Sequence, residues 1–167
     1  MRRPLVLTGA AAAGKSTCAR ALADRVPRAA CIDVDDIRQL VRSGAAAPWE
    51  GHEGRAQLRL GATNACALGR GFRAAGFDVV IADVVTPETA AVYRAELSDA
   101  LLVRLAVSFE EAQRRAATRP VHLTDDEFAW VHRLDAESPP VADVVLQVDG
   151  WTVAQQVAAL AELWQGA

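Results

Sequence analysis

The 167-residue sequence predicts an α/β fold: a three-layer α/β/α domain on a five-stranded parallel sheet. Three observations carry this. Five short apolar runs alternate with segments of helical periodicity along the chain. One run, DVVIAD at residues 78–83, is continuously apolar between its aspartates, as a strand buried on both faces has to be. The length suits one domain that buries roughly 70% of its unfolded surface. No linker, repeat or low-complexity tail interrupts it, so a single domain over residues 1–167 is expected.

Residues 5–7 form an apolar run ending at Thr8 and Gly9, and residues 15–26 carry small and apolar side chains at helical spacing, which reads as strand, loop, helix. Residues 29–33 are the second strand. Residues 37–41 look helical before GAAAPWEGHEG, residues 44–54, whose Gly and Pro mark a loop. Residues 54–75 are helical again, but Gly61, Gly69 and Gly71 each cost up to ~1 kcal/mol relative to Ala, so a bend or break is expected there. After the strand at 78–83, Thr86 and Pro87 supply the N-cap and first position of a helix. Residues 100–107 are the fourth strand, SFEE at 108–111 is a capping box opening a helix to about Thr118, residues 143–148 are the last strand, and Thr152 with Gln155 caps the final helix.

The composition, 51% hydrophobic and 23% charged, is globular, and no stretch reaches the ~18 apolar residues of a membrane span. A soluble cytoplasmic protein with no membrane partner is expected. The net charge of -3 argues against a nucleic-acid partner held by broad electrostatic contact. Cys18, Cys31 and Cys66 are scattered with no metal-ligand spacing and read as small buried hydrophobes. Of the 18 basic residues only Lys15 is lysine.

That lysine stands in GAAAAGKS, residues 9–16, which matches GxxxxGK[ST] in full between a predicted strand and a predicted helix. Backbone N–H groups of such a loop, with the positive end of the helix dipole, cradle phosphates. The nucleotide-binding set is therefore Gly9, Ala10, Ala11, Ala12, Ala13, Gly14, Lys15, Ser16 and Thr17, with ATP and Mg2+ as the expected cofactors. Lys15 is expected between the β and γ phosphates, the Ser16 hydroxyl on Mg2+, and Thr17 near the α phosphate. Asp83 ends DVVIAD as a Walker B acid does and is expected to hold the Mg2+ shell.

The guanine-reading NKxD is impossible where Lys15 is the sole lysine, the switch DxxG is missing, and the chain carries no LSGGQ-like transporter signature. A compact kinase remains. The second strand ends in IDVDDIR, residues 32–38, where Asp33 and Asp35 lie two apart at the edge where ligands bind in parallel sheets. This stretch resembles the DGDNVR-type motif of adenylylsulfate kinases and the DxD of shikimate and gluconate kinases, and VDD-Ile resembles the VDS-Leu of chloramphenicol phosphotransferase. The last also has an apolar strand ending in Asp-Val, here Asp83 and Val84. The resemblance implies a P-loop kinase fold with a small helical lid, Asp35 as the base for an acceptor hydroxyl, Asp33 as a metal or water-shell ligand, and Arg38 as a substrate anchor. Asp36 is the substitute if the register is misread, and one of the three acids is expected to N-cap the next helix.

EEAQRRAATRP, residues 110–120, places Arg115 and Arg119 at i and i+4 on one helical face. In kinases of this architecture that is the lid, about 114–136, whose arginines neutralise charge on the transferring phosphoryl group; Arg114 better fits a surface pair with Glu110 or Glu111. Fold analogy adds Trp49, Arg55 and Asn64 as substrate-binding candidates. His52, His122 and His132 read as surface residues, and Trp130, Trp151 and Trp164 as core or helix-face residues. The expected activity is ATP-dependent phosphorylation of a small-molecule hydroxyl, on an antibiotic or a metabolite. A nucleoside or nucleotide kinase, and a nucleotide-hydrolysing switch acting on a protein partner, stay open as alternatives. The acceptor and the oligomeric state are not legible.

Overall fold

The computed structural model describes residues 1–118 and 123–166. Among them, β1 (Leu5–Thr8), β2 (Ala29–Asp33), β3 (Asp78–Ala82), β4 (Leu101–Ala106) and β5 (Val144–Gln147) form one all-parallel sheet in the order β2-β3-β1-β4-β5. The helices are α1 (Lys15–Ala23), α2 (Val34–Arg38), α3 (Gly51–Ala74), α4 (Pro87–Glu96), α5 (Phe109–Ala116), α6 (Asp125–Glu137) and α7 (Val153–Gln165).

The period of two along each strand sorts the core into two faces. Leu5, Leu7, Val103 and Leu105 pack under Cys18 and Leu22 of α1 and Leu160 and Trp164 of α7. Val6, Ile32, Ile81 and Leu102 point the other way, under Ile37 of α2, Cys66 of α3 and Tyr93 of α4. This is the three-layer arrangement the alternation predicts. From β1 the chain runs to β2 and β3 on one side, then crosses to β4 and β5 on the other. The order therefore reverses between β1 and β4, and ligands bind beyond the carboxyl ends of strands at such a point.

Several local expectations change. α3 runs unbroken for 24 residues in spite of its glycines. Gly61 and Gly69 are buried, and a Cβ at Gly61 would come within 3.2 Å of Val34 Cγ1 and 3.3 Å of Arg38 Nε. Here glycine gives up helix propensity for close approach of α2. α3 also starts at Gly51, so His52 is exposed on the first turn of a helix rather than on a loop. α2 occupies residues 34–38 in place of the expected 37–41, because the Asp33 side chain accepts from Asp35 N at 3.3 Å and starts the helix at once. Ser108 accepts from Glu111 N at 3.2 Å, but the Glu111 carboxylate turns to Arg114 and Arg115, so only half of the expected box forms. Thr86 caps α4 and Thr152 caps α7 in full capping boxes. Cys18 and Cys66 are buried, whereas Cys31, on the outer strand β2, is exposed. Partial desolvation of the thiol pushes Cys31, exposed as a residue, up to about 11, and burial pushes Cys66 up to about 12, which makes either a poor nucleophile at neutral pH.

Candidate active site

β1 delivers the chain into the loop at Gly9, and the loop's backbone demands its residue types. Gly9 has φ 142°, and a Cβ there would sit 2.3 Å from the Leu105 carbonyl oxygen. Gly14 has φ 104°, and its Cβ would sit 2.7 Å from the Gln156 amide. Between them, Ala12 has φ 60°, a left-handed conformation that costs an alanine about 1–2 kcal/mol. The surroundings hold this strain in place. Lys15 Nζ donates to Ala10 O at 2.9 Å, His132 Nε2 donates to Ala11 O at 3.0 Å, and Arg115 Nη1 donates to Ala13 O at 3.3 Å. With its amide turned so that both ends are satisfied, Gln156 donates to Ala13 O at 3.3 Å and accepts from Arg115 at 3.1 Å.

Among the described residues no side chain caps the N-terminus of α1, where Gly14, Lys15, Ser16 and Thr17 line a cleft of about 790 Å3. Uncapped N–H groups, a positive dipole end and one lysine are the chemistry a polyphosphate needs, so the residues present fit ATP. Burial lowers the Lys15 ammonium below its ordinary pKa, and Asp35, Asp83, Asp135 and Asp33 pull it back up, in that order.

Facing the loop across the cleft are the ends of β2 and β3. Asp33 pairs with Ala82 in the sheet register, which sets Asp33 beside Asp83. Asp33 Oδ2 takes Arg20 Nη2 at 3.3 Å while Oδ1 caps α2. Arg38 joins the two other acids, with Nη1 at 2.9 Å from Asp35 Oδ1 and Nη2 at 2.7 Å from Asp83 Oδ1. Asp83 is enclosed, and Tyr93 OH donates to its Oδ2 at 2.9 Å. Burial raises the Asp83 pKa against the pull of Arg38 and Tyr93. Asp35 is exposed into the cleft, and Asp36 also lines it. Among the described residues no group of three His, Cys, Asp or Glu side chains could hold a metal ion by itself. The donor set, a serine hydroxyl with carboxylates that are mostly engaged, fits an ion that keeps several waters and takes the rest of its ligands from substrate phosphates.

The third wall is α5 with α6. Arg115 is mostly buried: Nε donates to Glu111 Oε1 at 2.8 Å, and Nη2 donates to Val148 O and Trp151 O. Its guanidinium therefore joins the phosphate loop to the segment before α7, while still lining the cleft. Arg114 pairs with Glu111 at the surface. Arg119 and His122 lie outside the described residues. Trp49, on the loop before α3, meets Trp130 of α6 edge-on with centroids 5.4 Å apart, and both line the cleft. Arg55 is exposed and borders neither cavity described here; Asn64 borders a second cavity behind Arg38.

Several functional side chains are missing from the sequence-based set. His132, read as a surface residue, is 8% exposed and packed between Phe109 and Phe128, and burial lowers its pKa. Its i+4 spacing from Phe128 on one face of α6 is the available signal. Tyr93, Gln156 on Ala13 O and the Arg104–Asp135 pair at 2.6 Å act through contacts between residues far apart in the chain, which local patterns do not carry.

No protein-family model matches the chain, and no curated protein sequence matches it. Solved structures do. Shikimate kinase from Acinetobacter baumannii in complex with shikimate aligns over 99% of this chain and 94% of its own, with TM-score 0.68 and 21% identity. The adenylylsulfate (APS) kinase of Mycobacterium tuberculosis in complex with AMPPNP and APS aligns over 98% of each chain at TM-score 0.67 and 19% identity. Thymidylate kinase from Candida albicans aligns over 99% and 92% at TM-score 0.62 and 15% identity. At such identities the likeness speaks to architecture. The chain thus has the three-layer α/β/α fold of the P-loop kinases, over nearly its full length.

Proposed function

We propose that this chain is an ATP-dependent O-phosphotransferase that moves the γ phosphate of ATP to a hydroxyl of a small molecule, with an antibiotic hydroxyl as the sharper form and the cytoplasm as its setting. One observation carries the reading: the uncapped phosphate loop and the Asp33, Asp35 and Arg38 cluster line the same cleft.

The loop's N–H groups and Lys15 bind the phosphates and offset their charge. Ser16 and Asp33 would hold the Mg2+ shell, with Asp83, expected there from its place at the strand end, set behind them because Arg38 and Tyr93 occupy its two oxygens; bound Mg2+ supplies charge neutralisation on the phosphates. Asp35 Oδ1 is held by Arg38, which leaves Oδ2 for the acceptor hydroxyl. The acceptor oxygen forms its bond to the γ phosphorus as the bond to the ADP oxygen breaks, and the hydroxyl proton passes to Asp35 Oδ2. In a loose transition state Asp35 chiefly orients the hydroxyl. Arg115 steadies the loop, and with Arg119 it offsets charge on the transferring group. Trp49 and Trp130 exclude water.

The test is ATP turnover across a panel of hydroxylated metabolites and antibiotics, with the phosphorylated product identified by mass spectrometry. Acceptor-stimulated transfer, lost in Lys15→Ala, is expected. Turnover that a protein partner stimulates and no small alcohol does would refute the reading.

A further inference from the structure

Among the described residues Ala12 is the sole non-glycine residue with positive φ, and it stands in the middle of the phosphate loop. That φ is set by how the peptide planes on its two sides are turned. The plane after it is held through Ala13 N, which donates to Ala10 O at 3.3 Å. The plane before it is held through Ala11 O, which accepts from His132 Nε2 at 3.0 Å. A trans peptide sets its N–H opposite its C=O, so fixing Ala11 O against α6 also fixes the direction of Ala12 N–H. Ala11 and Ala12 both line the phosphate cleft, and Ala12 N–H donates to no group among the described residues.

The donor is itself held rigidly. The His132 ring lies against Phe109 and Phe128, with centroids 5.3 and 4.7 Å away. One turn further along α6, Asp135 takes Arg104 Nη2 at 2.6 Å and Nε at 3.1 Å, and its carbonyl takes Nη2 at 2.9 Å, which pins the helix to β4. The other side chains on the loop divide their work differently. Arg115 and Gln156 hold Ala13 O, beyond the strained residue. Lys15 holds Ala10 O, but its ammonium is also the group that meets the phosphates. His132 has no such second task.

Building on the phosphotransferase reading, we infer that His132 is a positioning residue for nucleotide binding: its bond to Ala11 O keeps Ala12 left-handed and so holds the loop in its phosphate-ready shape before a polyphosphate arrives. Without that bond Ala12 relaxes toward negative φ, the plane before it turns, and Ala12 N–H leaves the cradle. Affinity for phosphates then falls with the fraction of molecules still in the competent shape. Glycine at position 12 would need no such hold, since φ near 60° is open to it. The role of His132 is therefore tied to the alanine it serves, and it bears on the phosphates rather than on the base or the acceptor.

The experiment uses the full chain with Mg2+ and measures affinity for AMPPNP and inorganic tripolyphosphate by calorimetry, and for adenosine by equilibrium dialysis. His132→Leu is expected to weaken both polyphosphates about tenfold, the scale of a hydrogen bond whose acceptor is left unpaired, and adenosine less than about twofold. His132→Gln, whose amide nitrogen reaches as far as Nε2, should stay within about twofold of the parent. His132→Asn is polar but falls short of Ala11 O and should behave as His132→Leu does. The ratio of tripolyphosphate to adenosine affinity within one variant cancels any loss of folded protein. In an Ala12→Gly background the His132→Leu loss should shrink to about twofold. Unchanged polyphosphate affinity in His132→Leu, an equal loss for adenosine, or a loss of the same size in the Ala12→Gly background overturns the inference. The expected binding pattern with no transfer to any hydroxyl compound supports the positioning role and overturns the phosphotransferase reading. Acceptor phosphorylation with the KM for ATP unchanged in His132→Leu does the reverse.

Discussion

Replacing Arg38 by methionine should destabilise this protein strongly. Asp83 is enclosed, its side chain 0% exposed, and its charge is met by Arg38 Nη2 at 2.7 Å. Tyr93 OH donates a bond but brings no charge. Methionine keeps an unbranched shaft for the space beside Gly61 while removing the cation. Breaking a buried pair by removing one partner costs about 3–5 kcal/mol, because the surviving charge stays desolvated. A domain's whole stability is about 5–15 kcal/mol, and at about 2–4 °C per kcal/mol for a chain of this size the midpoint falls by roughly 6–20 °C. Urea denaturation of Arg38→Met, Asp83→Asn and the double variant forms the assay. Asp83→Asn should cost less, since Arg38 keeps Asp35, and the double variant should regain much of the Arg38→Met loss. The Arg38→Met deficit should also shrink as pH falls, since protonating Asp83 removes the orphan charge. A loss below about 1 kcal/mol with no coupling to Asp83 would mean that the carboxylate is solvated, contrary to this account.

His132 should make stability depend on mildly acidic pH. Its folded pKa lies below the ordinary 6.5, so below pH 6.5 the unfolded chain binds the proton more readily; the stability from the neutral ring is full above that value and is lost as pH falls toward the folded pKa. Thermal midpoints between pH 7.5 and 5 should show this slope, flattened in His132→Gln; equal slopes in both proteins would refute it. Gly54→Ala forces a Cβ into the Ala47 carbonyl, so a loss of about 1–3 kcal/mol in urea denaturation is expected. Asp35→Asn should leave the affinity for ATP analogues nearly intact and lower turnover about 100-fold, the share of a general base; equal turnover would move the base elsewhere.

How much of this was legible follows from the range of each interaction. The five strands and the caps at Thr86 and Thr152 could be read because period, burial and capping act over a few residues. So could the phosphate loop, whose strand, turn and helix are contiguous. Helix continuity at Gly61 could not, since its reason is Val34 and Arg38 on another helix. Nor could the engagement of Asp83: its position at a strand end was visible, but Arg38 lies 45 residues away and Tyr93 comes from the face of α4 turned to the core. His132 was misassigned for the same reason. A histidine on an amphipathic helix is exposed or buried according to what the helix packs on, and α6 packs on the loop that carries Ala11.

The solitary lysine makes this chain chemically addressable. Its ε-amine is the only side-chain amine in 167 residues, and it lines the nucleotide cleft. Acylation or reductive alkylation of the side chains therefore converts a mixed population of products into a single adduct at the nucleotide site, with the α-amino group as the internal reference. The fraction of chains carrying that adduct, read on the Lys15 peptide after proteolysis with and without nucleotide, reports how far a ligand covers the phosphate loop.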